Sequence, residues 1–198
     1  MEKPDYISAD SVFTPLETAR LRLVLPTLAD TQRILRYYEE NRQHFAPWDP
    51  LRSDEYYTEE FWLREVTKMR DEFISGRSLR LVLLDKLDPD KPILGQCSLT
   101  NIVFGPFQAC HLGYSLHRQA VGKGLMFEGL STLIPYAFKE MGLHRVMANY
   151  MPANERSARL LRRLGFTVEG YARDYLFLAG NWQDHILTSL INPAATME

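Results

Sequence analysis

The chain reads as one α/β (α+β) domain, a mixed sheet of about seven strands carrying about four helices. Three observations predict it. Short runs place apolar residues at the two-residue period of a strand, as in ARLRLVLPT (19–27), where Leu21, Leu23 and Leu25 share one face. Between such runs stand longer ones with apolar residues three and four apart, the period of an amphipathic helix. No linker, internal repeat or low-complexity tract divides the 198 residues, a length that suits a single domain over 1–198, with 1–15 as a loosely ordered N-terminal extension.

The elements come in a clear order. After the first strand, ADTQRILRYYEEN (29–41) reads as a helix opening at Asp30 as N-cap. NRQHFAPWDPLRSDEYY (41–57) reads as a loop punctuated by Pro47 and Pro50, with aromatics expected at the surface. EEFWLREVTKMRDEFISG (59–76) is a second helix, closed by Gly76. RLVLLDKLDPDKPILGQCSLTNIV (80–103) gives two strands joined by a Pro- and Asp-rich turn, and ACHLGYSLH (109–117) gives the next. Met126, Leu130, Leu133, Ile134, Ala137, Phe138 and Met141 then recur at helical spacing, with a kink expected at Pro135. HRVMANYM (144–151) is a strand, ANERSARLLRRLGF (153–166) a helix closed by Gly165, and the tail forms two strands near 168–178 and 184–190.

Composition narrows the function classes. The chain is 45% hydrophobic and 24% charged with a net charge of −2, so nothing in the bulk balance points to nucleic acid or a membrane surface. The average hides an asymmetry. Residues 39–65 hold eight acids against three arginines, and residues 117–163 hold eight bases against three acids, so a balance of −5 stands against one of +5. The first region suits a cationic partner and the second an anion, while two solvated surfaces account for the same counts more plainly. Cys97 and Cys110 lie in apolar, strand-like runs without metal-ligand spacing, as buried reduced thiols do. The N-terminus has no apolar signal core and no 18-residue apolar run exists, so a cytoplasmic location is expected.

The stretch AVGKGLMFEGL (120–130) carries the chemistry. It sets two glycines around a lysine where a helix must begin, although glycine inside a helix costs about 1 kcal/mol relative to alanine. A helix N-terminus presents free N–H groups and about half a positive charge. Gly122 and Gly124 would let a pyrophosphate lie against the amides of Val121, Gly122, Lys123, Gly124 and Leu125. The spacing fits neither a P-loop nor a dinucleotide fingerprint.

GKGLMFEGL, HRVMANYMPANERSARLLRRLGF and the strand order together resemble the GNAT acetyltransferases, over nearly the whole chain. Within that family, NRQHFAPWDP, ANYMPANERS, LLRRLGF and EGYARDYL resemble the branch that acetylates the N-terminal alanine of ribosomal proteins. The resemblance implies a mostly antiparallel sheet with a central splayed parallel pair, acetyl-CoA as co-substrate and no metal. It also implies that the pyrophosphate sits on the glycine loop and that the pantetheine arm lies between ACHLGYSL and RVMANYM, with backbone near Leu116 as its partner. Asn154 would touch the cofactor, a role compatible with capping the helix after it. Many members carry a tyrosine five residues before the Phe of the Gly-Phe pair, as proton donor to the departing thiolate. Here that position is Leu161, and Ser157 is the candidate catalytic hydroxyl, unless it is simply a surface residue.

The acceptor would be the N-terminus of a protein, on a basic peptide, held by the region of Tyr38, Phe45, Trp48, Tyr56 and Tyr57, with Phe45, Trp48 and Glu128 as substrate-binding candidates. An α-amino group has a pKa near 8, so about a tenth is neutral at pH 7, against well under a thousandth for a lysine amine near 10.4. Such a substrate demands little of a base. Two rivals share the loop: a small-molecule amine acetyltransferase acting on aminoglycosides or polyamines, and a non-catalytic CoA-binding factor associated with ribosome assembly.

Overall fold

The computed structural model describes residues 13–194. Its strands are β1 (Leu16–Glu17), β2 (Leu21–Val24), β3 (Leu79–Asp85), β4 (Gly95–Val103), β5 (Ala109–Leu116), β6 (Arg145–Met147), β7 (Thr167–Leu178) and β8 (Asn181–Ile191). They form one sheet in the order β1-β2-β3-β4-β5-β6-β8-β7. The helices are α1 (Thr31–Glu40), α2 (Arg42–Phe45), α3 (Glu59–Ile74), α4 (Leu125–Lys139) and α5 (Glu155–Arg163). Every strand pair is antiparallel except β5 with β6. The predicted mixed sheet is therefore present, with one strand and one helix more than the sequence suggests.

Both additions are short. β1 has two residues and leaves no period to read, while α2 is a single four-residue turn inside the segment that reads as a loop. The aromatics of that segment correct the expectation of a surface loop. Phe45 and Tyr56 are buried, and Tyr38 stacks on Trp62 with ring centroids 4.6 Å apart. They form a second core with Ile34, Val66 and the outward residues Val82 and Leu84 of β3. Leu81 and Leu83 of the same strand point into the main core beneath α4, so β3 is buried on both faces. Each large aliphatic buried in this way contributes about 1.5–3 kcal/mol.

The helix termini show which local signals hold. Asp30 stands at the N-cap of α1, but its carboxylate takes no capping bond and accepts from Thr27 N and Oγ1 instead. Gly76 comes just after α3 in the left-handed region, with Gly76 N bonded to Phe73 O and Arg77 N to Glu72 O, the paired bonds that close a helix on glycine. α4 runs through Pro135 as one element. Of the expected extension, residues 1–12 lie outside the described residues. Phe13 is buried edge-on against Phe73 and Tyr136.

The site arises from how β5 and β6 part. Ala109, Cys110 and His111 pair with Arg145, Val146 and Met147, and the parallel ladder then stops. The chain after Met147 leaves β5 and stays with β8: Ala148 N donates to Thr188 O and Tyr150 bridges Ile186. The predicted strand 144–151 is thus only three residues long as a partner of β5. Leu112–Leu116 is left with one open edge inside the sheet, and an open edge there makes a cleft.

Candidate active site

The cleft at the parted strands has a volume of about 440 Å³. β4 supplies Gln96 and Ser98, β5 supplies Leu112 to Leu116, and the segment after β6 supplies Asn149, Tyr150 and Met151. α5 brings Asn154, Arg156, Ser157 and Leu160, while Phe45, Trp48 and Asp49 close one side and Leu178 and His185 come from the last hairpin. Cys97 and Cys110 are buried free thiols outside this lining, both pushed up by burial, Cys110 to about 12.

A short hydrogen-bond chain crosses the cleft. Ser157 Oγ lies 2.6 Å from Tyr114 Oη, and Ser157 N donates to Asn154 Oδ1 at 3.1 Å. Asn154 is thus the N-cap of α5 as the sequence suggests, and its cap fixes the turn that presents Ser157. Burial pushes the Tyr114 phenol up to about 12, against the Ser157 bond that pulls it down, so the phenol is protonated at neutral pH.

The glycine loop lies between β5 and α4. Gly122 and Gly124 have φ of +83° and +74°, a region that side chains disfavour. A Cβ at Gly122 would meet nothing within 4 Å, and one at Gly124 only the Arg20 guanidinium at 3.7 Å, so protein packing does not require glycine here. Backbone conformation and an open face do. Among the described residues, none accepts a hydrogen bond from the N–H groups of Gly122 to Phe127. These donors, the α4 dipole and the exposed Lys123 form a cradle for a polyanion.

The loop is braced from the opposite end of the chain. Glu128, in the first turn of α4, accepts from Thr18 Oγ1 at 2.5 Å, from Arg20 N at 2.8 Å and from Arg20 Nε at 2.7 Å. Arg20 Nη1 reaches Lys123 O at 3.1 Å. Burial raises the Glu128 pKa, but the bonds from Thr18 and Arg20 outweigh it and hold the carboxyl below its ordinary value. A depressed carboxylate contributes stability above its unfolded pKa and loses it as pH falls through the folded one, so the brace is complete at neutral pH. Glu128→Ala should weaken acetyl-CoA binding about three- to tenfold through a looser loop, about 0.7–1.4 kcal/mol, read by calorimetry. An unchanged affinity would show that the loop holds its shape alone.

Residues 20–167 match the family model described as the acetyltransferase (GNAT) domain. This chain belongs to the GNAT acetyltransferases. It is 43% identical over 179 residues, 90% of this chain and 91% of the relative, to the protein of Escherichia coli (strain K12) named [ribosomal protein uS5]-alanine N-acetyltransferase. The crystal structure of ribosomal-protein-S5-alanine acetyltransferase from Vibrio fischeri superposes with a TM-score of 0.88 at 38% identity, over 93% of this chain and all of that one. Mycobacterium smegmatis RimJ, solved in complex with CoA-disulfide, gives a TM-score of 0.81 at 25% identity, over 90% of this chain and 86% of that one.

This GNAT acetyltransferase is an acetyl-CoA-dependent N-acetyltransferase, and its own residues fit the donor: unpartnered amides and glycines that leave room for a pyrophosphate, beside a cleft open along one strand edge. Among the described residues no His, Cys, Asp or Glu cluster could hold a metal, and no helix is long and apolar enough to cross a membrane.

Of the predicted site residues, Leu116, Val121, Asn154, Ser157, Phe45 and Trp48 meet at the cleft. Gly122, Lys123 and Gly124 form the adjoining loop, and the Leu125 side chain packs into the core, which leaves only its amide for an anion. Glu128 does not line the cleft, because Thr18 and Arg20 occupy its carboxylate. Nor do Tyr38, Tyr56 and Tyr57, which border a smaller hollow with Arg42 and Arg52. Leu161 is buried in the core. Sequence reasoning missed Tyr114, Asp49, Arg156 and His185. Tyr114 could have been found, two positions before Leu116 on the strand expected to flank the pantetheine arm.

Proposed function

We propose that this enzyme transfers the acetyl group of acetyl-CoA to the N-terminal α-amino group of a protein, the N-terminal alanine of a small-subunit ribosomal protein. The observation that carries this reading is the likeness to the Escherichia coli uS5-alanine N-acetyltransferase, which extends over nine tenths of both chains. The cleft agrees with it. Trp48 in its lining is 37% exposed, so the cleft reaches solvent there and an extended chain end can enter.

In this reading the glycine loop anchors the pyrophosphate, and the open edge Leu112–Leu116 offers backbone groups to the pantetheine arm. Phe45 and Trp48 flank the incoming terminus. The uncharged amine attacks the thioester carbonyl, the C–N bond forms, and collapse of the tetrahedral intermediate breaks the C–S bond. Holding the two reactants in register supplies up to about 7–11 kcal/mol of the barrier. Ser157 gives its proton to the departing sulfur. Either hydroxyl can donate in the Tyr114–Ser157 bond, and when the phenol donates to Ser157 Oγ the serine O–H is free to point into the cleft.

Two assays test the substrate. Incubation of ribosomal proteins from cells lacking this enzyme with enzyme and acetyl-CoA should add one acetyl group to one small-subunit protein, located at its N-terminal alanine by intact mass and fragmentation. In parallel, alanine-starting peptides should be acetylated with a kcat/KM at least about 10²-fold above that for polyamines or aminoglycosides, a preference of about 2.7 kcal/mol. Preference for the small amines overturns the protein-substrate reading. No turnover with any amine removes the enzymatic one.

A further inference from the structure

We infer that His185 is the general base of this enzyme, taking a proton from the acceptor's ammonium group through its Nε2. The inference rests on the reading of the acceptor as an amine protonated at neutral pH. His185 stands on β8, is 3% exposed, and lines the cleft that Ser157 also lines. Its Nδ1 is 3.0 Å from Gln183 O. A carbonyl only accepts, so Nδ1 carries the hydrogen, and in the neutral ring the lone pair sits on Nε2. Among the described residues no protein group bonds to Nε2, and it is not among the sealed, partnerless polar atoms. Nε2 is therefore the ring nitrogen left free on a residue that lines the cleft.

The ring is held as well as free at one end. The Tyr175 ring packs against it with centroids 5.4 Å apart, and Tyr175 Oη accepts from Asn149 Nδ2 at 3.1 Å, so a second cleft residue fixes its neighbour. The other candidates lack this combination. Asp49 lines the cleft but is paired with Arg52 at 3.4 Å, and no hydrogen bond orients the His44 ring among the described residues. An oriented imidazole with one nitrogen bonded to a carbonyl and the other left free, on a residue lining the cleft, is the arrangement that base catalysis needs.

The protons balance. The ammonium gives one proton to Nε2, leaving imidazolium and a neutral amine, and the imidazolium passes that proton to water at the mouth of the cleft. The amine lone pair forms the C–N bond, and the carbonyl π pair moves to oxygen and returns as the C–S bond breaks. The sulfur takes a proton from Ser157. The nitrogen's second proton, lost as the amide forms, restores the serine hydroxyl through water. The products are acetylated peptide, CoA thiol and one proton in solution.

The test is His185→Asn, whose amide can still donate to Gln183 O but cannot act as a base. Two acceptors of equal length are compared: a peptide ending in an ordinary α-amine, and its aminooxy analogue, a weak base already neutral at pH 7. At pH 7 the variant should lose about tenfold in kcat/KM with the ordinary peptide, the limit set by the tenth of an α-amine already neutral there, yet stay within about threefold of wild type with the aminooxy peptide, with acetyl-CoA affinity unchanged. Equal losses on both acceptors, or none on either, overturn the assignment. A fluorohistidine placed at 185, near-isosteric and far less basic, must show the same split and preserves the fold if asparagine does not. If the wild type acts on small amines and not on peptides, the substrate reading fails alone, and the same pairing of an amine with its aminooxy analogue still decides the role of His185.

Discussion

Gly124→Val should leave a folded protein that binds acetyl-CoA about a hundredfold more weakly. A β-branched side chain at φ of +74° costs about 1–2 kcal/mol of backbone strain, which in a chain of this size lowers Tm by roughly 2–4 °C per kcal/mol. The larger effect is on the ligand. The Cβ space at Gly124 holds only the Arg20 guanidinium at 3.7 Å, so a valine fits the protein and occupies the room a phosphate oxygen needs to reach the amides. Losing one or two hydrogen bonds to a charged group, each worth about 1.5–3 kcal/mol, is about two decades of affinity at 1.4 kcal/mol per decade. Gly124→Asn separates strain from obstruction, since asparagine tolerates the left-handed region but carries an equally obstructive side chain. It should keep the wild-type Tm and still bind poorly. Calorimetry showing wild-type affinity in both variants would remove the loop from cofactor binding.

The sequence makes this loop legible because glycine at positive φ is a local requirement, visible without any partner. The same holds for Leu21 and Leu23, whose alternation alone predicts a buried face, and both are fully buried. What fails is what depends on distant partners. The segment 41–57 reads as a loop from Pro47 and Pro50, yet Phe45 and Tyr56 bring it into a second core with members from three helices, α1, α2 and α3, and the strand β3. Glu128 reads as a site acid because its partner, Arg20, lies 108 positions away. Tyr114 and Ser157 meet across 43 positions, a contact that no local pattern encodes.

The acidic segment is paired mostly within itself. Asp49, Asp54, Glu55 and Glu60 pair with Arg52, Arg42 and Arg64, while Glu40 meets His117 at 3.1 Å. Surface pairs of this kind contribute little stability, at most about 1 kcal/mol each, and because Arg42, Arg52 and Arg64 are already in the count they leave the balance of −5 standing. The cleft itself carries both signs, with Asp49 and Arg156 in its lining.

Ser157→Ala should lower kcat by about 10²- to 10⁴-fold, the usual contribution of a positioned proton donor, while the affinity for acetyl-CoA stays unchanged. A thiol of pKa about 8.5 is a moderate leaving group, so protonating the sulfur as the C–S bond breaks removes a substantial part of the barrier. The substitution also removes the 2.6 Å partner of the half-buried Tyr114 hydroxyl, which lines the cleft. That loss costs about 0.5–1.5 kcal/mol, roughly 2–4 °C in Tm per kcal/mol, so assays belong well below the transition. Tyr114→Phe separates the two hydroxyls. If the phenol only orients the serine, this variant loses about tenfold or less; if the phenol is itself the donor, it loses as much as Ser157→Ala, and the double variant loses no more than either. Adding Leu161→Tyr cannot restore the hydroxyl, because Leu161 is 1% exposed in the core and a larger ring there overpacks it. The measurement is single-turnover release of CoA thiol with peptide saturating, where chemistry limits the rate. Full single-turnover activity in Ser157→Ala would return protonation of the thiolate to solvent.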